Sequence, residues 1–318
     1  VENIASKKLY DIIIIGSGVT GLAGGMYAGR LNLKTLILGD LRGGVITTTN
    51  IVENYPGFKK LTGLELAKQI EDHAREYKID IVDAQVTKVE KCKGGSFKIY
   101  TLDKKSFEGK TIVFATGTEY KKLNVPGEAK FMNKGVHFCV LCDGIFYKRK
   151  RCIVVGGGDS AVKEALLLSE YASKVYIVYR GEKVRPEPIN YERMKRNKKI
   201  EVISKTNIKE IKGDKVVKSV IFDKTYKGNK EFKIDGVFIE IGHIPLSNLT
   251  KLLGVKLNEK REIIIDKDSK TNVPGLFAAG DVTNSSWKQA ITGVAEGCIA
   301  AYQAYVYVSQ NIIKPCGD

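Results

Sequence analysis

Two stretches of the chain, YDIIIIGSGVTGLAGGMYAGRLNLKTLILGD (10–40) and KRCIVVGGGDSAVKEALLLSEYASKVYIVYRG (150–181), repeat one plan. Each reads as a β-branched run, a glycine turn, a helix-length segment and a second apolar run. Continuous apolar strands flanking a helix are the mark of a βαβ unit in a parallel sheet buried on both faces. Two such units constrain the chain to an α/β fold with two Rossmann-like nucleotide sites. In the first unit Gly16, Gly18 and Gly21 form G-x-G-x-x-G. The first glycine permits the tight turn, the second lets backbone N–H groups approach a pyrophosphate, and the third seats the helix on the strand. The second unit has Gly156, Gly158 and Ala161 at the same spacing.

The end of each second strand faces the adenosine ribose, so its charge reports which dinucleotide binds. Twenty-four residues after the first glycine stands Asp40 in one unit and Arg180 in the other, with Arg185 close by. An acid there accepts hydrogen bonds from ribose hydroxyls and repels a 2′-phosphate, which the arginines attract. The first site suits FAD or NAD and the second NADP. Exposed strand-end cations without a ligand are the bland alternative for the arginines.

Two further apolar strands extend the first site. TNVPGLFAAGDV (271–282) ends on Gly280 and Asp281, and IVFATGTEY (112–120) on Thr116 and Gly117. The first nucleotide domain is therefore expected to be interrupted, covering 1–117 and 242–318, with the second domain inserted at 118–241. Two segments that alternate apolar and polar around glycine turns, near 86–115 and 216–241, predict antiparallel hairpins appended to each nucleotide fold. The last helix, about 293–310, is apolar nearly all round and predicts a core thiol at Cys298. Cys316 follows a proline in a tail expected to fray, with redox use as the alternative.

Of six cysteines only Cys139 and Cys142, in VHFCVLCDG, are neighbours; Cys92, Cys152, Cys298 and Cys316 read as solitary, which fits a reducing compartment. Half of a zinc site, a redox disulfide and two inert buried thiols are all compatible with C-x-x-C alone. Zinc needs two further ligands, and the three histidines, His73, His137 and His243, supply no suitable spacing, so no metal site is expected. No run approaches the ~18 apolar residues that would span a bilayer, and VENIASKKLYD lacks a signal-like apolar core. A cytoplasmic protein with no membrane contact is expected. The net charge of +16 arises from 52 basic and 36 acidic residues, intermixed and without interleaved stacking aromatics, so it predicts no nucleic-acid binding. A solvated basic face that attracts an acidic protein partner accounts for it.

GSGVTGL, GGVITTTNIVENYPGF, the C-x-x-C-D-G, GGGDSAVKEALLLSEYASKVYIVYRG, IGHIP and PGLFAAGDVTNSSWKQAITGVAEGCIAA stand in an order and spacing that resembles the low-molecular-weight thioredoxin reductases of bacteria and archaea. The likeness spans essentially the whole chain. It implies a homodimeric flavoprotein of two three-layer ββα domains. Electrons would pass from NADPH through FAD and a disulfide to thioredoxin or a thioredoxin-like or glutaredoxin-like protein, with the inserted domain turning about its two linkers. The FAD contacts so implied are Gly16, Gly18, Val19, Thr20, Gly21, Asp40, Gly44, Val45, Asn54, Val86, Thr116, Gly117, Gly280, Asp281, Lys288, Gln289 and Ala290. The nicotinamide dinucleotide falls to Gly158, Asp159, Ser160, Arg180 and Arg185. The redox pair becomes Cys139 and Cys142, with Asp143 as its acid; an N-cap or loop hydrogen bond is that acid's alternative role.

Two positions depart from the family. Gly43-Gly44-Val45 stands where Gly-Gly-Gln is common, removing one side-chain hydrogen bond beside the flavin. Tyr179-Arg180-Gly181 and Arg185 keep two arginines of a three-arginine cluster. Some archaeal relatives with eroded clusters take electrons from ferredoxin or a deazaflavin, so NADH, ferredoxin and a deazaflavin are alternative donors here, and a dithiol oxidase of the same fold is a further alternative.

Overall fold

The computed structural model describes residues 8–49 and 52–317. They form two compact units: the residues up to Glu119 together with those from Pro245 onward, and Tyr120–Ile244.

The first unit is built on strands β1 (Leu9–Ile15), β2 (Thr35–Leu38), β3 (Asp80–Val82), β4 (Val86–Lys91), β5 (Phe97–Thr101) and β6 (Ser106–Phe114), in the order β3-β2-β1-β6-β5-β4. Strands β1, β2, β3 and β6 run parallel, and the other edge of β6 pairs antiparallel with β5, which with β4 forms a meander. The strand IIII of β1 is wholly apolar because both faces are covered, and alternate side chains enter different cores. Ile13 and Ile15 pack with Leu36, Phe97 and Phe114, whereas Ile12 and Ile14 pack with Leu22, Val113, Ala300 and Ala304. The second core lies beneath helices α1 (Val19–Arg30) and α2 (Gly63–Arg75) and the final helix of the chain. Helix α2 starts at a capping box in which Thr62 and Glu65 bond each other's backbone N–H groups.

A short strand, β7 (Thr118–Tyr120), leads into the second unit. There β8 (Val136–His137), helix α3 (Val140–Asp143), β9 (Arg151–Val155), helix α4 (Asp159–Tyr171), β10 (Lys174–Val178), helix α5 (Pro188–Arg196) and β11 (Ile200–Ile203) follow one another. Next come β12 (Ile208–Gly213), β13 (Val217–Tyr226), β14 (Asn229–Lys233) and β15 (Gly236–Ile239). The parallel sheet runs β11-β10-β9-β15-β8, and β12-β13-β14 is a separate antiparallel sheet, one strand more than the hairpin expected. Strand β16 (His243–Pro245) pairs with β7, so the two crossings run side by side. Where the chain re-enters the first unit, the Leu246 N–H donates to Gly117 O at 3.0 Å and the Thr116 hydroxyl donates to Leu246 O at 2.8 Å. Strand β17 (Leu276–Ala278) then adds to β6 in parallel, completing the α/β architecture with two Rossmann-like sheets.

Helix α6 (Ala290–Gln310) corrects two expectations. It buries only a stripe of small residues, Gly293, Gly297, Ala300, Ala301 and Ala304, and leaves Ile299, Tyr302 and Tyr305 exposed. The stripe is small because α1 crosses it closely: a Cβ on Gly297 would lie 2.2 Å from Thr20 O. Cys298 is accordingly half-buried rather than a core thiol, and burial still pushes it up to about 11. The tail is not frayed, and Cys92 and Cys316 are not solitary. They form a disulfide, and the Lys314 N–H donates to Gly94 O at 3.0 Å. No described helix is long and apolar enough to cross a membrane.

Candidate active site: two glycine turns and a disulfide

The first glycine turn joins β1 to α1, and its glycines are dictated by backbone contact. Gly16 has φ +119°, and a Cβ there would lie 2.1 Å from Ala115 O; one on Gly21 would lie 1.9 Å from Gly16 O. Gly18 is the N-cap of α1, with no side-chain cap and no acid in the first turn, which leaves the positive end of a 12-residue helix uncompensated. A second glycine loop packs on the turn: the Gly43 N–H donates to Ser17 O at 2.9 Å, and a Cβ on Gly44 would lie 2.9 Å from Gly18 Cα. Val45 follows in a 3₁₀ turn, Gly44–Thr48. Asp40 is exposed just beyond β2 and makes no ion pair among the described residues. The hydroxyl of Ser17, 2% exposed, has no hydrogen-bond partner among the described residues.

Several other expected residues of this unit meet one another. Gly280, at φ +78°, sits against Thr20, whose Oγ1 would be 2.7 Å from a Cβ there, and Val19 opens α1 beside it. The Gly280 N–H donates to Glu296 Oε2 at 2.7 Å, fixing the turn that carries Asp281. Asn54 Nδ2 donates to Gln289 Oε1 at 3.0 Å, and Gln289 caps α6 ahead of Ala290. Val86 opens β4 against the core. The Lys288 ammonium is committed within the protein: it donates to Asp281 O at 2.7 Å and Thr283 O at 2.8 Å and pairs with Glu262 at 2.6 Å.

The second turn, between β9 and α4, is shaped alike. Gly156 has φ +153° and a Cβ there would lie 2.2 Å from Glu240 O, whereas Gly158 has open space in that direction. The Arg185 N–H donates to Gly157 O at 2.6 Å, and its guanidinium reaches Tyr179 Oη at 3.3 Å. Arg180 is exposed with no ion pair among the described residues. Asp159, beside Ser160 at the start of α4, fastens the neighbouring loop, accepting from Glu187 N and Asn190 Nδ2 at 2.8 Å each and pairing with Lys163. These bonds hold its carboxyl below the usual range although burial opposes them.

The C-x-x-C segment lies on α3 and the residue before it. Cys139 is disulfide-bonded; the side chain of Cys142 lies outside the described residues. One residue on, Asp143 Oδ2 stands 3.0 Å from His137 Nδ1, an ionic-contact distance without hydrogen-bond alignment. The other ring nitrogen, Nε2, is 2.8 Å from Tyr147 Oη. His137 and Tyr147 are each 6% exposed; His137 stacks on Phe238 and Tyr147 meets the same ring edge-on. Burial lowers the imidazole pKa against the opposing pull of Asp143 and raises that of the phenol, so His137 is neutral and Tyr147 keeps its proton. That assigns Tyr147 as donor to Nε2 and turns Nδ1–H towards Asp143. Sequence reasoning passed over both residues, although His137 lies two positions before Cys139 in a chain with only three histidines.

Glu164 was also missed. Its Oε2 accepts the Val140 N–H at 2.7 Å, tying α4 to the first turn of the C-x-x-C helix. Burial pushes its carboxyl up to about 7, and burial plus the Glu164 charge pushes Glu240 up to about 9. Both folded-state values exceed the ordinary 4.5, so the folded protein binds protons that the unfolded chain releases. The stabilisation is complete below pH 4.5 and is lost as pH rises through 7 and then 9. A fall in melting temperature across this window is expected. Glu240→Gln should flatten its upper half, as read by thermal unfolding at stepped pH; an unchanged profile would refute the assignment.

Among the described residues no cluster of three or more His, Cys, Asp or Glu could hold a metal ion. Residues 10–297 match the family model described as pyridine nucleotide-disulphide oxidoreductase. The chain belongs to this family. It is an oxidoreductase, and membership implies FAD and a pyridine nucleotide as cofactors. It is 38% identical over 310 residues to a thioredoxin reductase of Bacillus subtilis (strain 168), covering 96% of this chain and 97% of the relative. The crystal structure of Lactococcus lactis thioredoxin reductase (FR conformation) superposes with a TM-score of 0.90 at 37% identity, covering 95% of this chain and all of that one. A ferredoxin-flavin thioredoxin reductase from Clostridium acetobutylicum is more distant, with a TM-score of 0.52 at 31% identity, covering 95% of this chain and 99% of the other.

Proposed function

We propose that the chain is a thioredoxin reductase that passes electron pairs from NADPH to the disulfide of a thioredoxin-like or glutaredoxin-like protein. The observation that carries this reading is the disulfide-bonded Cys139 beside an acid that faces a buried imidazole, on the same unit as the arginine-ended glycine turn. The first unit is assigned to FAD. Its uncapped α1, the exposed Asp40 and the partnerless Ser17 hydroxyl form a cradle suited to a pyrophosphate and a ribose. FAD, when bound, supplies a two-electron relay between a nicotinamide and a dithiol. Gly16, Gly18 and Gly21 would bring backbone to its phosphates, while Asn54, Thr116, Gly117, Asp281, Gln289 and Ala290 would line the rest of the site.

The second unit, 120–244, is assigned to the nicotinamide dinucleotide and the Cys139/Cys142 pair. Gly158 and Ser160 would approach the pyrophosphate, with Arg180 and Arg185 at a 2′-phosphate. Asp143 would move the proton of the leaving thiolate, held in place by His137. Exposed Ile299, Tyr302 and Tyr305 on α6 support a homodimer, and the composition supports a cytoplasmic enzyme.

Anaerobic titration with NADPH and NADH in parallel tests the donor. NADPH should bleach the flavin at lower concentration, and Arg180→Ala should weaken NADPH about ten- to a hundred-fold while leaving NADH unchanged, as the loss of one charge-assisted contact requires. Ferredoxin is the second reading, because one of the family's three arginines is Gly181 here and a ferredoxin-flavin enzyme is among the structural neighbours. Bleaching by neither nucleotide would select it.

A further inference from the structure

The disulfide between Cys92 and Cys316 has no part in this chemistry, and it lies in the first unit. It joins residues 224 apart in sequence with Cα atoms 5.3 Å apart. The strands around it show a built dock for the chain end. Lys314 bridges Gly95 in parallel, and a Cβ on Gly94 would lie 2.7 Å from Lys314 O. The Glu108 carboxylate accepts both the Cys316 N–H and the Ser96 hydroxyl, the latter at 3.1 Å, and Ser96 Oγ is 3.4 Å from Cys316 Sγ. Both cysteines are partly exposed, unlike the fully buried Cys152, whose thiol burial drives far above its usual range. Lys91 and Lys93 flank Cys92, and Lys314 precedes Cys316 by two positions.

We infer that Cys92–Cys316 is a second thiol–disulfide exchange site, opened by a dithiol, which releases the chain beyond α6 from the turn between β4 and β5. Exchange needs an accessible sulfur to attack and a stabilised thiolate to leave. Attack on either sulfur forms a mixed disulfide with the donor as the Cys92–Cys316 bond breaks and the other cysteine leaves as its thiolate. The second thiol of the attacking dithiol then displaces the cysteine held in the mixed disulfide. The donor becomes a disulfide, and its two electrons and two protons pass to Cys92 and Cys316. The natural donor would be the dithiol product of the proposed reductase; that identity rests on the functional reading, whereas the site itself does not.

The test is therefore run on the intact chain and on a variant carrying both Cys139→Ser and Cys142→Ser, in which no other disulfide can respond. Peptide mapping without reductant should recover a fragment cross-linked between Cys92 and Cys316. Dithiothreitol at about 1 mM should open it in the folded protein, and amide exchange at Lys314 and Cys316 should quicken about tenfold or more. Cys316→Ser should show the fast exchange without dithiothreitol. Glutathione, a monothiol, should leave its adduct on Cys92 or Cys316. A free Cys92 thiol in the untreated protein, no adduct on either cysteine, or opening no faster than global unfolding would overturn the inference.

Discussion

Cys139→Ser is expected to lower turnover with a disulfide protein substrate at least about a thousand-fold, the scale of loss when a group that must form a covalent bond is removed. The bound flavin and its reduction by the electron donor should be unaffected, because Cys139 lies on the second unit, outside both glycine turns. A serine at this position cannot form the S–S bond in which Cys139 is found. The decisive measurement is a pair of half-reactions: anaerobic bleaching of the flavin, then its reoxidation by the disulfide protein. Loss confined to the second identifies Cys139 as part of the exit for electrons. If the variant still reduced its partner at more than a few per cent of the parent rate, the disulfide would have to be structural.

Asp143→Asn should slow the same second half-reaction by about a hundred- to ten-thousand-fold, the range expected for removal of a positioned general acid. The exchange leaves a thiolate that must be protonated, and an amide cannot supply that proton. His137 sharpens this expectation. It is neutral, buried and held by Tyr147, so its protonated Nδ1 faces Asp143 Oδ2 at 3.0 Å, a close polar contact that biases where the carboxylate sits. His137→Ser should therefore shift the pH profile of thiol exchange without removing the acid, a change that simple loss of packing would not produce. Equal loss in both half-reactions of Asp143→Asn would give that residue a structural role instead.

Both predictions rest on a segment that was partly legible before folding. The redox reading of C-x-x-C-D came with the family resemblance, but its two cysteines and acid stand together because they are neighbours in sequence. The same holds for the glycine turns, where a switch from strand to helix periodicity brackets G-x-G-x-x-G within some thirty residues. Contacts across short separations carry little loop entropy and leave a local pattern. The bond from Val140 to Glu164 crosses 24 residues, and Cys92 to Cys316 crosses 224. Neither leaves any periodicity or spacing to detect. A tail after Pro315 reads as frayed until the dock at Gly94, Ser96 and Glu108 is seen.

The sequence by itself determined the α/β class, the duplicated nucleotide turn, the opposite charges at the two strand ends and the adjacent C-x-x-C pair, because each is written in residues close along the chain. Only the tertiary structure decided what surrounds them. It set a neutral imidazole behind Asp143, a raised carboxyl beneath Val140, an α6 exposed on one side, and a second disulfide closing the C-terminal tail onto the turn after β4. Those features come from desolvation and from proximity between distant segments. Both exist only once the sheets have brought the segments together.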